Sequence, residues 1–140
     1  MLLHIVARGR IGRSAEADLV DRYLVRVAWP TKVTELPDRG GKMPPLPTGA
    51  KTVLLDEKGK SLNSIAFADQ LGRWRDDGVR ETRFLIGAAD GFDDDARAQA
   101  DLLISFGAMT WPHMMARAML AEQLWRASSI LAGHPYHREG

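Results

Sequence analysis

The sequence predicts an α/β fold, with a mainly parallel sheet flanked by helices. Short apolar runs suited to buried strands recur at Leu2–Arg8, Thr52–Leu55, Phe84–Ile86 and Leu102–Ile104. Stretches of helical period lie between them, and strands alternating with helices imply parallel pairing. At 140 residues, 45% hydrophobic and 26% charged, the chain suits one domain, spanning 1–140, around one core.

Each element follows from local signals. Gly9-Arg10-Ile11-Gly12-Arg13 reads as a turn after the first strand. Ser14 is then an N-cap, with Glu16 favourably placed in the first helical turn. Val20, Tyr23, Leu24 and Val27 form one helix face, and Pro30 is expected to end that helix. Lys32–Leu36 is a second strand. Residues 37–50 contain four prolines and three glycines and read as a loop without a domain boundary. The strand at Thr52–Leu55 is expected to stop at Asp56-Glu57-Lys58-Gly59-Lys60.

A helix from about Ser64 to Asp77 presents Phe67, Leu71 and Trp74 on one face. Asp93, Asp94 and Asp95 open a short helix, where carboxylates suit the N-terminal dipole. These aspartates lack EF-hand spacing, which disfavours calcium. The last helix, His113 to about Ala132, is apolar over nearly its whole circumference. Such a helix must be covered all round, which predicts a second copy of the chain against it; cover by its own chain is the alternative.

Composition excludes several classes. Zero cysteines remove disulfides, thiolate metal sites and a cysteine nucleophile. No apolar run approaches membrane-spanning length, and the N-terminus lacks the features of a signal peptide, so the expected location is cytoplasmic. The net charge of +1 hides an asymmetry: residues 1–51 carry nine Lys/Arg against five Asp/Glu, while 52–105 carry seven against eleven. Arg8, Arg10 and Arg13 cluster on one short loop and are candidate phosphate contacts.

Loops after apolar strands, at Asp56–Lys60, Gly87–Asp93 and Gly107–His113, sit where open α/β sheets bind ligands. None is a GxxxxGK[ST] or GxGxxG motif, which disfavours nucleoside-triphosphate hydrolysis and dinucleotide redox chemistry. An uncharged, partly aromatic ligand held by backbone groups fits better, with Phe106, Met109 and Trp111 as apolar walls. The C-terminus, Gly133-His134-Pro135-Tyr136-His137-Arg138-Glu139-Gly140, reads as a stiff arm, because Pro135 biases His134 toward extended backbone. Its groups can stack on a base, grip a phosphate and move a proton near neutral pH.

Taken in order, Leu54–Lys60, Phe84–Gly91, Met109–His113, the helix with Arg117, Glu122-Gln123-Leu124 and Arg126-Ala127, and above all His134–Glu139 resemble a known family. It is that of the bacterial large-subunit rRNA pseudouridine N3-methyltransferases, a small branch of the SPOUT class of S-adenosylmethionine-dependent enzymes. The resemblance implies a C-terminal trefoil knot, which ordinary topology rules would reject. It also implies a homodimer without a membrane, and a pseudouridine of 23S rRNA, methylated on the assembled ribosome.

Carried over by position, the methyl-donor contacts are Leu55, Gly87 and the run Phe106-Gly107-Ala108-Met109-Thr110-Trp111, with no metal. Arg8, Arg10, Arg13 and His134 are assigned to RNA. The chain departs from the family at Ala88, where a second glycine is usual, at Ala89-Asp90 and at Gly107, and it shortens the 37–50 segment.

The imide N3 becomes nucleophilic as its proton leaves. His137 is the first candidate for general base; His113, Arg138 or plain electrostatic stabilisation are the alternatives. Tyr136 is expected to orient the base and Arg138 to hold a phosphate or the developing charge. The tail is expected to act on the donor bound by the partner subunit. Two rivals are a non-catalytic RNA-binding or ribosome-assembly dimer and a small metal-dependent hydrolase built on His134 and His137.

Overall fold

The computed structural model describes residues 1–88 and 90–138; Ala89 of the central motif, and Glu139 and Gly140 of the tail, lie outside them. The elements run β1 (Leu2–Arg8), α1 (Ala15–Leu24), β2 (Thr31–Leu36), β3 (Lys51–Lys60), α2 (Ser64–Asp76), β4 (Glu81–Ile86), α3 (Asp94–Gln99), β5 (Leu102–Ile104) and α4 (His113–Leu131). The five strands form one sheet of order β2-β1-β4-β3-β5, and every pairing is parallel, as the alternation of elements predicts.

Period-two alternation divides the sheet's burial between two faces. Leu3, Ile5, Ala7, Val53, Phe84, Ile86 and Ile104 join Phe67, Leu71 and Trp74 of α2 and Leu120, Leu124 and Ala127 of α4 in the main core. The opposite face is partly polar. There His4 Nε2 and Thr34 Oγ1 lie 2.7 Å apart, and His4 Nδ1 faces Glu81 Oε2 at 3.4 Å. Arg83, paired with Glu81, donates to the carbonyls of Pro44 and Pro45 at 2.7 and 2.9 Å. Desolvation holds the His4 imidazole below its ordinary pKa despite Glu81. The 37–50 loop is therefore stapled onto the sheet by buried charge, and hydrophobic periodicity gives no sign of this.

Three boundaries differ from expectation. Helix α1 stops at Leu24, well before Pro30, because the amides of Arg26 and Val27 bond back to Tyr23 and Leu24 in a tightened turn; Val27 is still buried. Strand β3 runs on to Lys60. Its ladder with β5 breaks after Leu55 and resumes at Lys60–Ile104, so Asp56–Gly59 form an irregularity and not a strand end. Gly59 makes this possible: a Cβ there would stand 2.6 Å from backbone atoms of Ile104. Third, the tail is not an extended arm. The amides of Gly133 and His134 bond to Ile130 O and Ser129 O, a Schellman closure that turns the chain back along α4.

The chain itself provides most of the cover for α4. Val20 of α1 packs with Ala118 and Ala121, α2 and the sheet take Leu120, Leu124 and Ala127, and Tyr136 lies on Trp125. Within the helix only Met115 is exposed. Cover by its own chain is thus the better account of that helix, and its all-round apolarity alone does not require a partner.

Candidate methyl-donor and tail site

A cavity of about 240 Å³ opens beyond the carboxyl ends of β3, β4 and β5, where open α/β sheets place ligands. Leu55, Gly87, Phe106, Gly107, Met109, Thr110 and Trp111 line it, as expected of a donor site, whereas Ala108 is exposed on the same loop without lining it. Strands bring Leu55 and Gly87 there, and the segment after β5 closes over them. That segment is pre-organised. Ser105 Oγ donates to Gly107 O at 2.9 Å and accepts from Gly107 N at 3.1 Å, and Trp111 Nε1 donates to Phe106 O at 3.2 Å. Gly87 lies beneath Phe92, so a Cβ there would sit 3.3 Å from the ring.

The wall also holds residues that motif reading did not single out. Asp56 Oδ2 accepts from Arg97 Nε at 2.8 Å, and Asp56 Oδ1 accepts from the Lys58 amide at 2.8 Å. Burial by itself pushes the Asp56 carboxyl up, but these two partners outweigh it and hold the group below its usual range. A carboxylate locked to an arginine three elements further along the chain carries no periodic signal, so sequence could not pair them. Phe92 also lines the cavity, as does His113, the alternative general base of the sequence analysis. A slot of apolar walls, acidic groups and tight backbone turns fits a donor that combines an adenine ring with a sulfonium cation.

The expected RNA residues divide. The Arg8 guanidinium donates to Pro37 O and Gly40 O at 2.9 and 2.7 Å and so braces the 37–50 loop. Arg10 and Arg13 are exposed. Their loop is anchored from within: buried Arg117 donates to Glu35 Oε2 at 2.6 Å and to Gly9 O at 3.0 Å, and the Ile11 amide donates to the same Glu35 oxygen at 2.8 Å. His134 is exposed, and its Nδ1 accepts from the Tyr136 amide at 3.2 Å.

Tyr136 and His137 are held against α4. The Tyr136 ring centroid lies 3.6 Å from that of Trp125, which stacks on Tyr23 at 5.7 Å. Tyr136 Oη donates to Glu122 Oε1 at 3.0 Å. Burial and that carboxylate push the phenol's pKa up, so Oη stays a donor. Arg126 pairs with Glu122, lies 4.7 Å from the Tyr136 ring centre, and approaches His137 Nδ1 at 3.1 Å. A guanidinium can only donate. His137 Nδ1 is therefore an acceptor, and the ring hydrogen belongs on Nε2. In this geometry His137 offers an N–H and not a free basic nitrogen.

His137 and Arg138 border a second cavity, which shares Ile104, Ser105, Phe106 and Gly107 with the donor cavity. Among the described residues no group of three or more His, Asp or Glu could hold a metal ion, and both tail imidazoles spend Nδ1 on hydrogen bonds. No helix of the described residues is long and apolar enough to cross a membrane.

Known proteins match the sequence of this chain along its length. A family model described as a predicted SPOUT methyltransferase matches residues 1–137. The chain is 73% identical to the ribosomal RNA large subunit methyltransferase H of Rhizorhabdus wittichii, with the whole of both chains aligned. It is 72% identical to the protein of that name from Novosphingobium aromaticivorans, again over both whole chains. The protein of that name from Paramagnetospirillum magneticum is 48% identical, with 99% of each chain covered. Matches of this extent, over a chain whose cavity lies at the carboxyl ends of a parallel sheet with the tail docked beside it, show the family: the chain belongs to the SPOUT methyltransferase family.

Proposed function

We propose that this chain transfers a methyl group from S-adenosylmethionine to N3 of a pseudouridine in 23S rRNA, on the assembled ribosome. It does so as a cytoplasmic homodimer of one domain spanning 1–140, with a C-terminal trefoil knot. The observation that carries this reading is the pre-organised cavity at the strand ends, adjoining the tail's own cavity through Ile104–Gly107. The relatives' name supplies the large-subunit rRNA. The dimer draws support from the family resemblance and from Met109, Trp111 and Met115, which are 79%, 42% and 40% exposed beside the donor cavity.

When bound, the donor supplies an electrophilic methyl group. Leu55, Gly87 and the Phe106–Trp111 segment hold its flat part through apolar walls and backbone groups, and Ala108 shapes that segment from outside. Tyr136 packs on Trp125 and fixes the tail. His137 Nε2–H and the Arg138 guanidinium then meet the negative charge that spreads over the imide oxygens as N3 loses its proton. Taking that proton falls to solvent, or to His137 once it has left Arg126. Arg10, Arg13 and His134 contact rRNA phosphate or base, while Arg8 shapes the loop beside them.

The test is transfer of labelled methyl to intact ribosomes and to free rRNA, followed by mapping of the product. N3-methylpseudouridine formed on ribosomes is expected. Tight donor binding with no transfer to either RNA would sink the enzymatic reading. Failure of calorimetry to detect donor binding would favour the non-catalytic RNA-binding dimer.

A further inference from the structure

The second cavity measures about 540 Å³, within the range of small-ligand pockets. Its walls combine apolar Phe106 and Met119 with polar Ser64, Gln123, His137 and Arg138. The roles given so far leave Ser64 and Gln123 unexplained. Ser64 Oγ donates to Gln123 Oε1 at 2.8 Å, and Gln123 Nε2 donates to Glu122 Oε2 at 3.2 Å. Glu122 is in turn held by Arg126 and by Tyr136 Oη. A primary amide has two N–H groups and two acceptor lone pairs. Each bond uses one, so among the described residues Gln123 keeps an N–H and a lone pair without a partner. Such a pair is complementary to the –NH–C(=O)– edge of a cyclic amide, as the amides of Asn and Gln are to a base edge.

We propose that this cavity receives the acceptor base and that Gln123 selects pseudouridine over uridine; this rests on the function proposed above. Pseudouridine joins its ribose through C5, which leaves N1 as an N–H next to C2=O. Gln123 Oε1 accepts from N1–H, and Gln123 Nε2 donates to O2. N3 stays clear for the methyl group, and O4 is left for His137 and Arg138. Uridine in the same orientation presents C5–H where pseudouridine presents N1–H, and C4=O where it presents C2=O. It keeps one of the two hydrogen bonds and leaves Gln123 Oε1 facing a C–H. The Ser64 hydroxyl holds the amide in the orientation that makes this distinction.

Single-turnover methyl transfer is measured on ribosomes bearing pseudouridine, uridine or N1-methylpseudouridine at the target. The native chain should prefer pseudouridine over each of the others by roughly ten- to a hundredfold. Gln123→Met has similar bulk and no polar atoms. It should bring both ratios to within about threefold of unity, whatever it does to the absolute rate. Ser64→Ala should shift them less in the same direction. Donor titration reports whether each variant is folded. If Gln123→Met fails to bind donor, the N1-methylpseudouridine comparison decides, because it alters the substrate alone. Equal loss on all three substrates with selectivity intact overturns the proposal. So does a native chain that methylates N1-methylpseudouridine as fast as pseudouridine. A native chain that methylates none of them removes the methyltransferase reading itself, and selectivity goes with it.

Discussion

Replacing Tyr136 with phenylalanine deletes one oxygen and isolates what keeps the tail docked. Four contacts hold it: Oη on Glu122 at 3.0 Å, the ring on Trp125 at 3.6 Å between centroids, Arg126 at 4.7 Å from the ring centre, and Arg126 on His137 Nδ1 at 3.1 Å. In that order they contribute about 2, 1, 0.7 and 1 kcal/mol. Ordering the backbones of Tyr136 and His137 costs about 1.5 kcal/mol each, and their side chains about 1 more together. The balance is about 0.7 kcal/mol, a docked-to-free ratio of roughly three. Losing the Glu122 bond removes about 1.5 kcal/mol once water reaches the freed carboxylate, and the docked fraction falls from roughly 75% to roughly 20%. Rapid-quench methyl transfer on ribosomes should therefore slow about fourfold for Tyr136→Phe and more than about tenfold for Tyr136→Ala, which also loses the ring. Donor affinity should hold in both, since Tyr136 does not line the donor cavity. A Tyr136→Phe rate equal to the native one would refute this ledger. A loss beyond about a hundredfold would mean that the phenol acts in the chemistry and not in docking.

Other changes probe separate parts of the site. His137→Asn keeps a side-chain N–H and should retain more single-turnover activity than His137→Ala; equal rates across pH would remove the donor role drawn from the Arg126 contact. Gly107 has φ +109° with nothing crowding its Cβ position, so Gly107→Val acts through backbone strain. It should weaken donor binding about tenfold in titration, while unchanged affinity would misplace the donor. Asp56 has a depressed folded pKa, so it lends stability above the ordinary carboxylate value of about 4 and loses it as pH falls through the folded value. Asp56→Asn should therefore narrow the difference between urea midpoints at neutral and acid pH, and an unchanged difference would count against the Arg97 pairing. Met115→Asp should shift light scattering from dimer toward monomer; a native chain that is monomeric at micromolar concentration would end the dimer proposal.

Elements whose signals are local were legible in the sequence. Ser14 and Asp93 cap α1 and α3 through their side chains, as their positions ahead of helical runs imply. The apolar triplets at Phe84 and Leu102 became strands, the first buried and the second a half-buried edge. Leu55, Gly87 and, apart from Ala108, the Phe106–Trp111 run, named through the family resemblance, gather at one cavity because they sit at or just beyond strand ends. Pairings set by tertiary geometry were not legible. Arg83 with Pro44, Arg97 with Asp56, and Arg117 with Glu35 each join groups distant in sequence, and a lone arginine has no period to reveal its partner. The tail was read as an extended arm, and its docked course along α4 was not legible. Pro135 restricts His134, but the Ser129 carbonyl and the face of Trp125 decide where the chain goes next.

Gly59 bears on how selection experiments on this chain should be interpreted. It sits inside Asp56–Lys60, a stretch that invites reading as a ligand loop, yet what it touches is the backbone of Leu103 and Ile104. In a saturation library, alleles encoding any other residue at 59 should disappear under a screen for soluble folded protein as completely as under one for ribosome modification. Depletion at that codon would thus measure assembly of the sheet edge and carry no information about catalysis. Codons 123 and 137 should behave in the opposite way, surviving the solubility screen and vanishing under the activity screen. The contrast between the two screens would separate scaffold from chemistry without a single purified variant.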